Sequence, residues 1–362
     1  MNPRFWRNKK VLLTGHTGFK GSWLSICLQD LGSELTGFSL PPPTDPSLYA
    51  LAGVEHGMRS IEGDIRDLRH LQKVMQEAQP EIVFHLAAQS LVRQSYADPV
   101  GTFATNVLGT AHVLEAARAT SSIRALTVVT SDKCYDNKED GRPYRESDPL
   151  GGFDPYSRSK AAAELVTAAF RNSFFAPLQR ETLTGIASAR AGNVIGGGDW
   201  AVDRLIPDVI RGVFEGREIV IRNPHAIRPW QHVLEPLHGY LLLAEKLYDD
   251  PLGYSQGWNF GPDESDSQPV AALLEQLGRC WGPGMTWRID NGRHHHEAKY
   301  LRLDSSKARS MLGWRPRWNL TQALEATAEW YKALQSRKDA ASLTREQIRA
   351  YQSSLHVTAA SS

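Results

Sequence analysis

The sequence predicts an α/β protein: a parallel sheet covered by helices on both faces, with a smaller, sequence-discontinuous C-terminal region capping the carboxyl edge of the sheet. Three observations predict it. Short apolar runs alternate with helical patterns to about residue 190. The first run, Lys10-Val11-Leu12-Leu13-Thr14, enters a glycine turn that opens a helical pattern, the layout of a phosphate-binding βα unit. Beyond it, short strands and helices are separated by Pro/Gly/Trp-rich connections. We therefore expect residues 1–190 to form a dinucleotide-binding domain and 191–350 to form mainly a substrate domain, with some segments returning to the sheet. Residues 351–362 are expected to be a frayed tail.

The glycine turn reads Gly15-His16-Thr17-Gly18-Phe19-Lys20-Gly21, and the helix after it runs to about Leu31. Glycines let the backbone approach a pyrophosphate, whose charge the helix N-terminus favours, so Gly15, Thr17, Gly18, Phe19 and Gly21 are cofactor candidates. A second strand spans about Glu34 to Leu40. Its end, Gly37-Phe38-Ser39-Leu40, lacks the acid that would hold a ribose 2′-hydroxyl, which leaves NAD and NADP both open at this point. A third strand end, Gly63-Asp64-Ile65-Arg66-Asp67, suits an adenine contact through Asp64 and Ile65. Asp64 reads equally well as the N-cap of a helix beginning at Leu68. The fourth strand, Ile82 to Ala88, ends in Leu86, Ala87 and Ala88, where a cofactor can lie close, and His85 reads as a core residue.

A fifth strand ends Val128-Val129-Thr130-Ser131-Asp132-Lys133. Further on, Gly196 to Trp200 is a loop, Leu205 to Val213 a helix with Pro207 in its first turn, and Arg217 to Arg222 a short strand. From Pro262 helices return. The stretch from Ser336 onward is polar, with a short helix expected near Leu343 to Gln352.

With 362 residues the chain can bury a large core. A net charge of +1 with both signs mixed gives no basic stripe for nucleic acid, and no run of 18 apolar residues suggests a membrane span. Cys27, Cys134 and Cys280 are far apart without metal-ligand spacing, which reads as reduced thiols in a cytoplasmic protein whose N-terminus has no signal-like segment. His294-His295-His296 is internal and too short to argue for a metal, and none is expected.

Tyr156 and Lys160 carry the chemistry. Four residues apart, they share one helix face behind the Ser131 strand. A lysine cation beside a phenol favours the phenolate and should pull it below its usual value of roughly 10. The phenolate can then take a proton from a hydroxyl that Ser131 also contacts. A Tyr-x-x-x-Lys alone is as consistent with a solvated helix face. The glycine loop upstream gives it weight.

These phrases together, TGHTGFKGSWL (14–24), LAAQSLV (86–92), TSDKCY (130–135), YSRSK (156–160), ARAGNVIGGGD (189–199), RPWQHV (228–233) and HEAKYLRLD (296–304), resemble the extended short-chain dehydrogenase/reductase superfamily over nearly the whole chain. Within its NAD-dependent epimerase/dehydratase group they look most like the CDP-glucose 4,6-dehydratase family. The resemblance implies a modified Rossmann fold, a nicotinamide cofactor that is usually NAD, CDP-glucose as partner, and a homodimer or homotetramer. It implies C4 oxidation of the hexose, loss of water across C5–C6 and hydride return to C6, on a route to bacterial surface polysaccharide such as O-antigen.

By the same resemblance Tyr156 is the C4-hydroxyl base, Lys160 its partner on the nicotinamide ribose, and Ser131 the group that polarises the C4 oxygen. Asp132 is the proton donor to the departing C6 hydroxyl. Lys133 is a departure: the related dTDP-glucose enzymes carry Glu there as C5 base, and a lysine serves only if part of it is neutral. Gln89 and Asn106 are placed at the cofactor and sugar. Asn193, Arg204, Leu205, Ile206 and Arg228 are placed at the nucleotide sugar, with His232, Glu297 and Tyr300 as further candidates. The residues alone do not read the nucleobase. A UDP-, dTDP- or GDP-hexose dehydratase or 4-epimerase remains open, as does, more remotely, a non-enzymatic NAD sensor.

Overall fold

The computed structural model describes residues 1–175, 183–290, 292 and 298–357. Seven strands form the central sheet: β1 (Lys10–Thr14), β2 (Glu34–Ser39), β3 (Arg59–Glu62), β4 (Ile82–His85), β5 (Ala125–Val129), β6 (Gly185–Arg190) and β7 (Gly257–Asn259). Their order is β7-β6-β5-β4-β1-β2-β3, every pair parallel. β1 pairs with β2 from Lys10↔Glu34 to Thr14↔Phe38, and with β4 from Val11↔Ile82 to Thr14↔His85. The strand order reverses between β1 and β4. That reversal opens a crevice at the carboxyl ends, where an open parallel sheet binds ligands.

Strands β4, β5 and β6 are buried along their whole length, as parallel strands covered on both faces must be. Successive side chains go to opposite faces. Leu12, Val83 and Leu126 point into one apolar layer with α2 (Leu68–Ala78) and α3 (Gly109–Arg118). Val11, Leu13, Phe84 and Ala187 point into the other, with α1 (Phe19–Asp30). α4 (Pro155–Phe174) also lies on the first face, where Val166 and Phe170 pack against that layer.

The C-terminal half shares the second apolar layer. α5 (Leu205–Phe214), α6 (Leu234–Asp249), α7 (Val270–Trp281) and α8 (Leu320–Gln335) all place buried residues in it. Short strand pairs build the cap over the carboxyl edge: Val194–Ile195 with Gln231–His232, Ile227–Pro229 with Ser267–Pro269, and Ile219–Ile221 with Trp287–Ile289.

The expected tail is different. α9 runs from Ala340 to Val357. Tyr351 is fully buried and donates its hydroxyl to Glu235 Oε2 at 2.7 Å, so residue 351 belongs to the core rather than to a frayed end.

Candidate functional site

A cavity of about 690 Å3 opens at the carboxyl edge of the sheet, beneath the cap. One end is walled by the glycine loop, the ends of β2 and β3, and the segment after β4. Gly15 has φ +80, and a Cβ there would fall 2.6 Å from Ala87 N; a Cβ on Gly21 would fall 2.0 Å from Gly15 O. Both positions therefore need glycine for the fold itself. Gly18 differs. A Cβ there would meet only Gly15 O, at 3.4 Å, so chain packing does not demand its bareness. An open approach to the N-terminus of α1 does.

Thr17, Phe19, Asp64, Ile65, Leu86, Ala87, Ala88 and Gln89 also line this end. Thr17 Oγ1 donates to Leu40 O at 2.9 Å and bonds Ser39 Oγ at 2.8 Å, tying the loop to the end of β2. Asp64 is not a helix cap: Asp67 caps α2, accepting from His70 N. Asp64 instead accepts from Arg66, whose guanidinium holds the carboxyl below its ordinary value. Asn106 is not on the wall. It is buried in a π turn, Ala104–Leu108, where it accepts from Gln89 N and donates to Gln89 O and to Ser159 Oγ, bracing the wall from behind. His85 is a core residue, held between Thr14 and Thr110.

At the centre, β5 and α4 meet. Asp154 caps α4, accepting from Ser157 N at 2.9 Å and from Ser157 Oγ at 2.6 Å, with Pro155 in the first turn. That cap sets Tyr156 at the cavity wall and Lys160 one turn on. Lys160 Nζ donates to Val129 O at 3.3 Å. Ser131 Oγ donates to Asp132 Oδ1 at 3.0 Å and accepts from Lys133 N at 3.2 Å. Lys133 Nζ lies 6.0 Å from the centre of the Tyr156 ring.

The electrostatics correct one expectation. Tyr156 is pushed up to about 12, not down: burial dominates, with the Ser131 hydroxyl pulling the other way and Asp132 adding to the rise. Lys160 is itself lowered to about 8 by burial, against the pull of Glu164, and the charges acting on Tyr156 include Arg204. Asp132 lies behind the cavity wall formed by Ser131 and Lys133, with 1% of its surface exposed. Burial raises its pKa, opposed by Lys133, the Ser131 hydroxyl, Arg228 and Lys20. Its Oδ2 has no hydrogen-bond partner among the described residues. Burial thus shifts this carboxyl toward its protonated form, the direction a proton donor requires.

The cavity is also lined by Asn193, Arg204, Leu205, Ile206 and Arg228. Arg204 pairs with Asp199 at 3.0 Å and donates to Ser90 Oγ at 2.8 Å. Two further candidates are not at the wall. His232 is fully buried between Trp23 and Trp318, and burial lowers it to about 3; it is a core residue, because its two-residue strand is covered by α1 and the segment before α8. Tyr300 is 40% exposed and does not line the cavity, although its backbone pairs with Ile227, next to Arg228 on the wall. Glu297, with His294 to His296, lies outside the described residues; among the described residues no cluster of His, Cys, Asp and Glu could hold a metal ion.

The structure adds Lys20, Asp203 and Arg222 to the wall. Lys20 sits in the first turn of α1, where the helix dipole disfavours a cation. Burial and then Arg204 lower it to about 7, against the pull of Asp132. Its sequence signal was present, a lysine inside the glycine phrase. Asp203 and Arg222 had none, since their pairing depends on the cap.

Residues 12–327 match the family model described as GDP-mannose 4,6 dehydratase. The chain is 50% identical over 354 residues, 98% of its length and 99% of the relative's, to CDP-glucose 4,6-dehydratase of Salmonella typhimurium. It is 28% identical to dTDP-glucose 4,6-dehydratase of Xanthomonas campestris, covering 88% of this chain and 92% of the other. Among solved structures, MoeE5 in complex with UDP-glucuronic acid and NAD superposes with a TM-score of 0.75 at 25% identity, over 90% of this chain and 99% of that one.

Proposed function

The chain belongs to the GDP-mannose 4,6-dehydratase family, and from that premise we propose that it converts CDP-D-glucose to CDP-4-dehydro-6-deoxy-D-glucose and water. The observation that carries this reading is the end-to-end identity of one residue in two with a relative named for that reaction. The site supports it. The glycine cradle with its open approach at Gly18 fits a dinucleotide, and no Lys or Arg lines the end of β2 among Ser39, Leu40, Pro41, Pro43 and Thr44, which suits NAD and not a 2′-phosphate. When bound, NAD supplies the hydride acceptor for C4 and the donor that returns the hydride to C6.

The chain's own groups do the rest. Tyr156, once it has lost its own proton, takes the C4-hydroxyl proton as a phenolate, with Ser131 bonding the same oxygen and Lys160, one turn on, as its partner toward the nicotinamide ribose. The 4-ketone acidifies C5–H, and Lys133 removes that proton or stabilises the enolate. Asp132, raised by burial, gives its proton to the C6 hydroxyl as it leaves. Arg204 and Arg228 both line the cavity, and a guanidinium matches the geometry of a diphosphate, which supports them as its partners.

Exposed apolar side chains gather on the helical stretch Pro99–Arg118 and on α4: Val100 (78% exposed), Leu108 (52%) and Leu165 (61%). They suit a homodimer or homotetramer built through these helices. No helix of the described residues is long and apolar enough to cross a membrane. The protein is read as a cytoplasmic enzyme supplying deoxysugars for surface polysaccharide.

The test is incubation with CDP-glucose and catalytic NAD, following the 4-keto-6-deoxy product in alkali and the mass loss of one water. Product without net NADH is the expected result. Silence with CDP-glucose but turnover of the UDP-, dTDP- or GDP-hexose would replace the substrate while leaving the Ser131–Tyr156–Lys160 chemistry in place.

A further inference from the structure

We propose that the Asp203–Arg222 ion pair at the cavity mouth reads the Watson–Crick edge of cytosine. The proposal rests on the CDP-glucose reading and gives that reading a specificity element. The direction of the substrate follows from the cavity. The glycine loop and the ends of β3 and β4 form one part of its wall, Ser131 and Tyr156 another, and Leu205, Val220 and Arg222 a third, which Asp203 joins to the segment after β4 through Arg93. With the dinucleotide on the glycine loop and the hexose C4 hydroxyl at Tyr156, the wall left for the diphosphate and nucleoside is that of Leu205, Val220 and Arg222. There Val220 (44% exposed) and Leu205 offer apolar surface for a base ring.

Between them stands a half-dry pair of charges. Asp203 has φ +60, in the left-handed region that non-glycine residues seldom adopt. Its Oδ1 accepts from Arg222 Nη1 at 3.4 Å and from Arg93 Nη1 at 2.7 Å. Both contacts fall on Oδ1, and the Asp203 and Arg222 side chains keep 32% and 23% of their surface exposed. Oδ2 and further guanidinium N–H groups can therefore meet a ligand. A carboxylate beside a guanidinium presents an acceptor followed by donors. Cytosine presents the complement: an amino donor, then the N3 and O2 acceptors. Uracil and thymine present O4 to the carboxylate and N3–H to the guanidinium, so two of the three positions oppose like with like.

The test compares kcat/KM for CDP-glucose and UDP-glucose in the wild type, Asp203→Asn and Arg222→Met. Asparagine tolerates the left-handed backbone as well as aspartate does, and its amide can turn an N–H toward O4. D203N should lose about 10²-fold in kcat/KM on CDP-glucose, chiefly through KM, and gain on UDP-glucose. R222M should lose about 10²-fold of the CDP preference. A glucose diphosphate of pyrimidin-2-one, which lacks only the amino group, tests the carboxylate contact on unaltered protein and should also lose about 10²-fold. An unchanged CDP/UDP ratio in both variants, or an analogue used within about threefold of CDP-glucose, overturns the reader while CDP-glucose stays the substrate. A wild type that prefers UDP- or dTDP-glucose overturns the substrate reading itself.

Discussion

Gly192→Ala isolates one step of the proposed chemistry. A Cβ at residue 192 would fall 1.7 Å from Asp132 Oδ2 and 2.1 Å from its Cγ, where ordinary contacts begin at 3.4 Å. The difference, 3.4 minus 1.7, requires the carboxyl to move by about 1.7 Å. Its neighbours leave it little room, since it is buried and takes the Ser131 hydroxyl on Oδ1. A misplacement of ~1 Å in a reacting group costs about 10²-fold in rate, and one added methyl in a packed site costs ~1–3 kcal/mol of stability. Tyr156 and Lys160 lie on α4 and are not what the methyl would strike. G192A should therefore oxidise C4 and then stall, so that reduced nicotinamide accumulates within a single turnover while loss of water slows about 10²-fold. Stopped-flow absorbance of the reduced cofactor, with quenched samples assayed for the 4-keto-6-deoxy product, reads both steps. Wild-type dehydration without accumulation would refute the placement of Asp132 as the C6 proton donor. Loss of C4 oxidation itself would show that the methyl acts on the Ser131 side instead.

Three other outcomes are expected. Tyr156→Phe should lower kcat by about 10³-fold or more while the protein still binds NAD by fluorescence titration; normal turnover would remove Tyr156 as the base. Lys133→Ala should resemble G192A, with reduced cofactor building up and no product, and dehydration at the wild-type rate would make Lys133 a bystander. Glu235, fully buried, is raised by burial from 4.5 to about 7, against hydrogen bonds from Trp318 N, Tyr351 and Arg317 N. Between those values the fold binds more protons than the unfolded chain, so stability falls as pH rises from 4.5 to about 7, by up to ~3 kcal/mol. Tm measured across that window should decline in the wild type and flatten in Glu235→Gln; parallel curves would sink the assignment.

Much of this was legible in the sequence where the signal is local. Strand β1, the glycine loop and α1 are contiguous, and the strand and helix periods alternate plainly through β6. Strand β7 has only three residues, Gly257–Asn259, too few for a period, and its place beside β6 is set by tertiary packing. α9 is longer than expected because its exposed face is polar; Tyr351 is core only because Glu235 of α6 and Trp318, before α8, cover it. His232 shares the phrase RPWQHV with Arg228, yet it packs under Trp318, while Arg228, four residues earlier, reaches the wall. The rise of Tyr156 to about 12 was out of reach for another reason: a Tyr-x-x-x-Lys spacing fixes the helix face but says nothing of burial, and burial is the largest cause.

That rise bears on how the site is built. With Tyr156 raised to about 12, it acts as a base only after giving up its own proton, and burial shifts the Asp132 carboxyl toward the form that can donate one, so each must be held where its proton can leave or arrive only along the reaction path. The rigidity comes from beneath the wall. Glu164, one turn beyond Lys160 on α4, accepts from Thr130 Oγ1 and Ser188 Oγ, each at 2.5 Å, and from Arg190 Nη2 at 2.8 Å. Arg190 in turn donates to Tyr135 Oη at 2.8 Å. Both charges are almost fully buried, at 4% and 6% exposure, a placement whose desolvation offsets most of its attraction. Its net contribution to stability is therefore small. What the network does is bind α4 to β5 and β6 at Thr130, the residue just before Ser131, and so fix the distance between Ser131 and the Tyr156 helix. A site that must remove a proton at C4, then one at C5, and deliver one at C6 without releasing its intermediate depends on that distance more than on any one group's acidity.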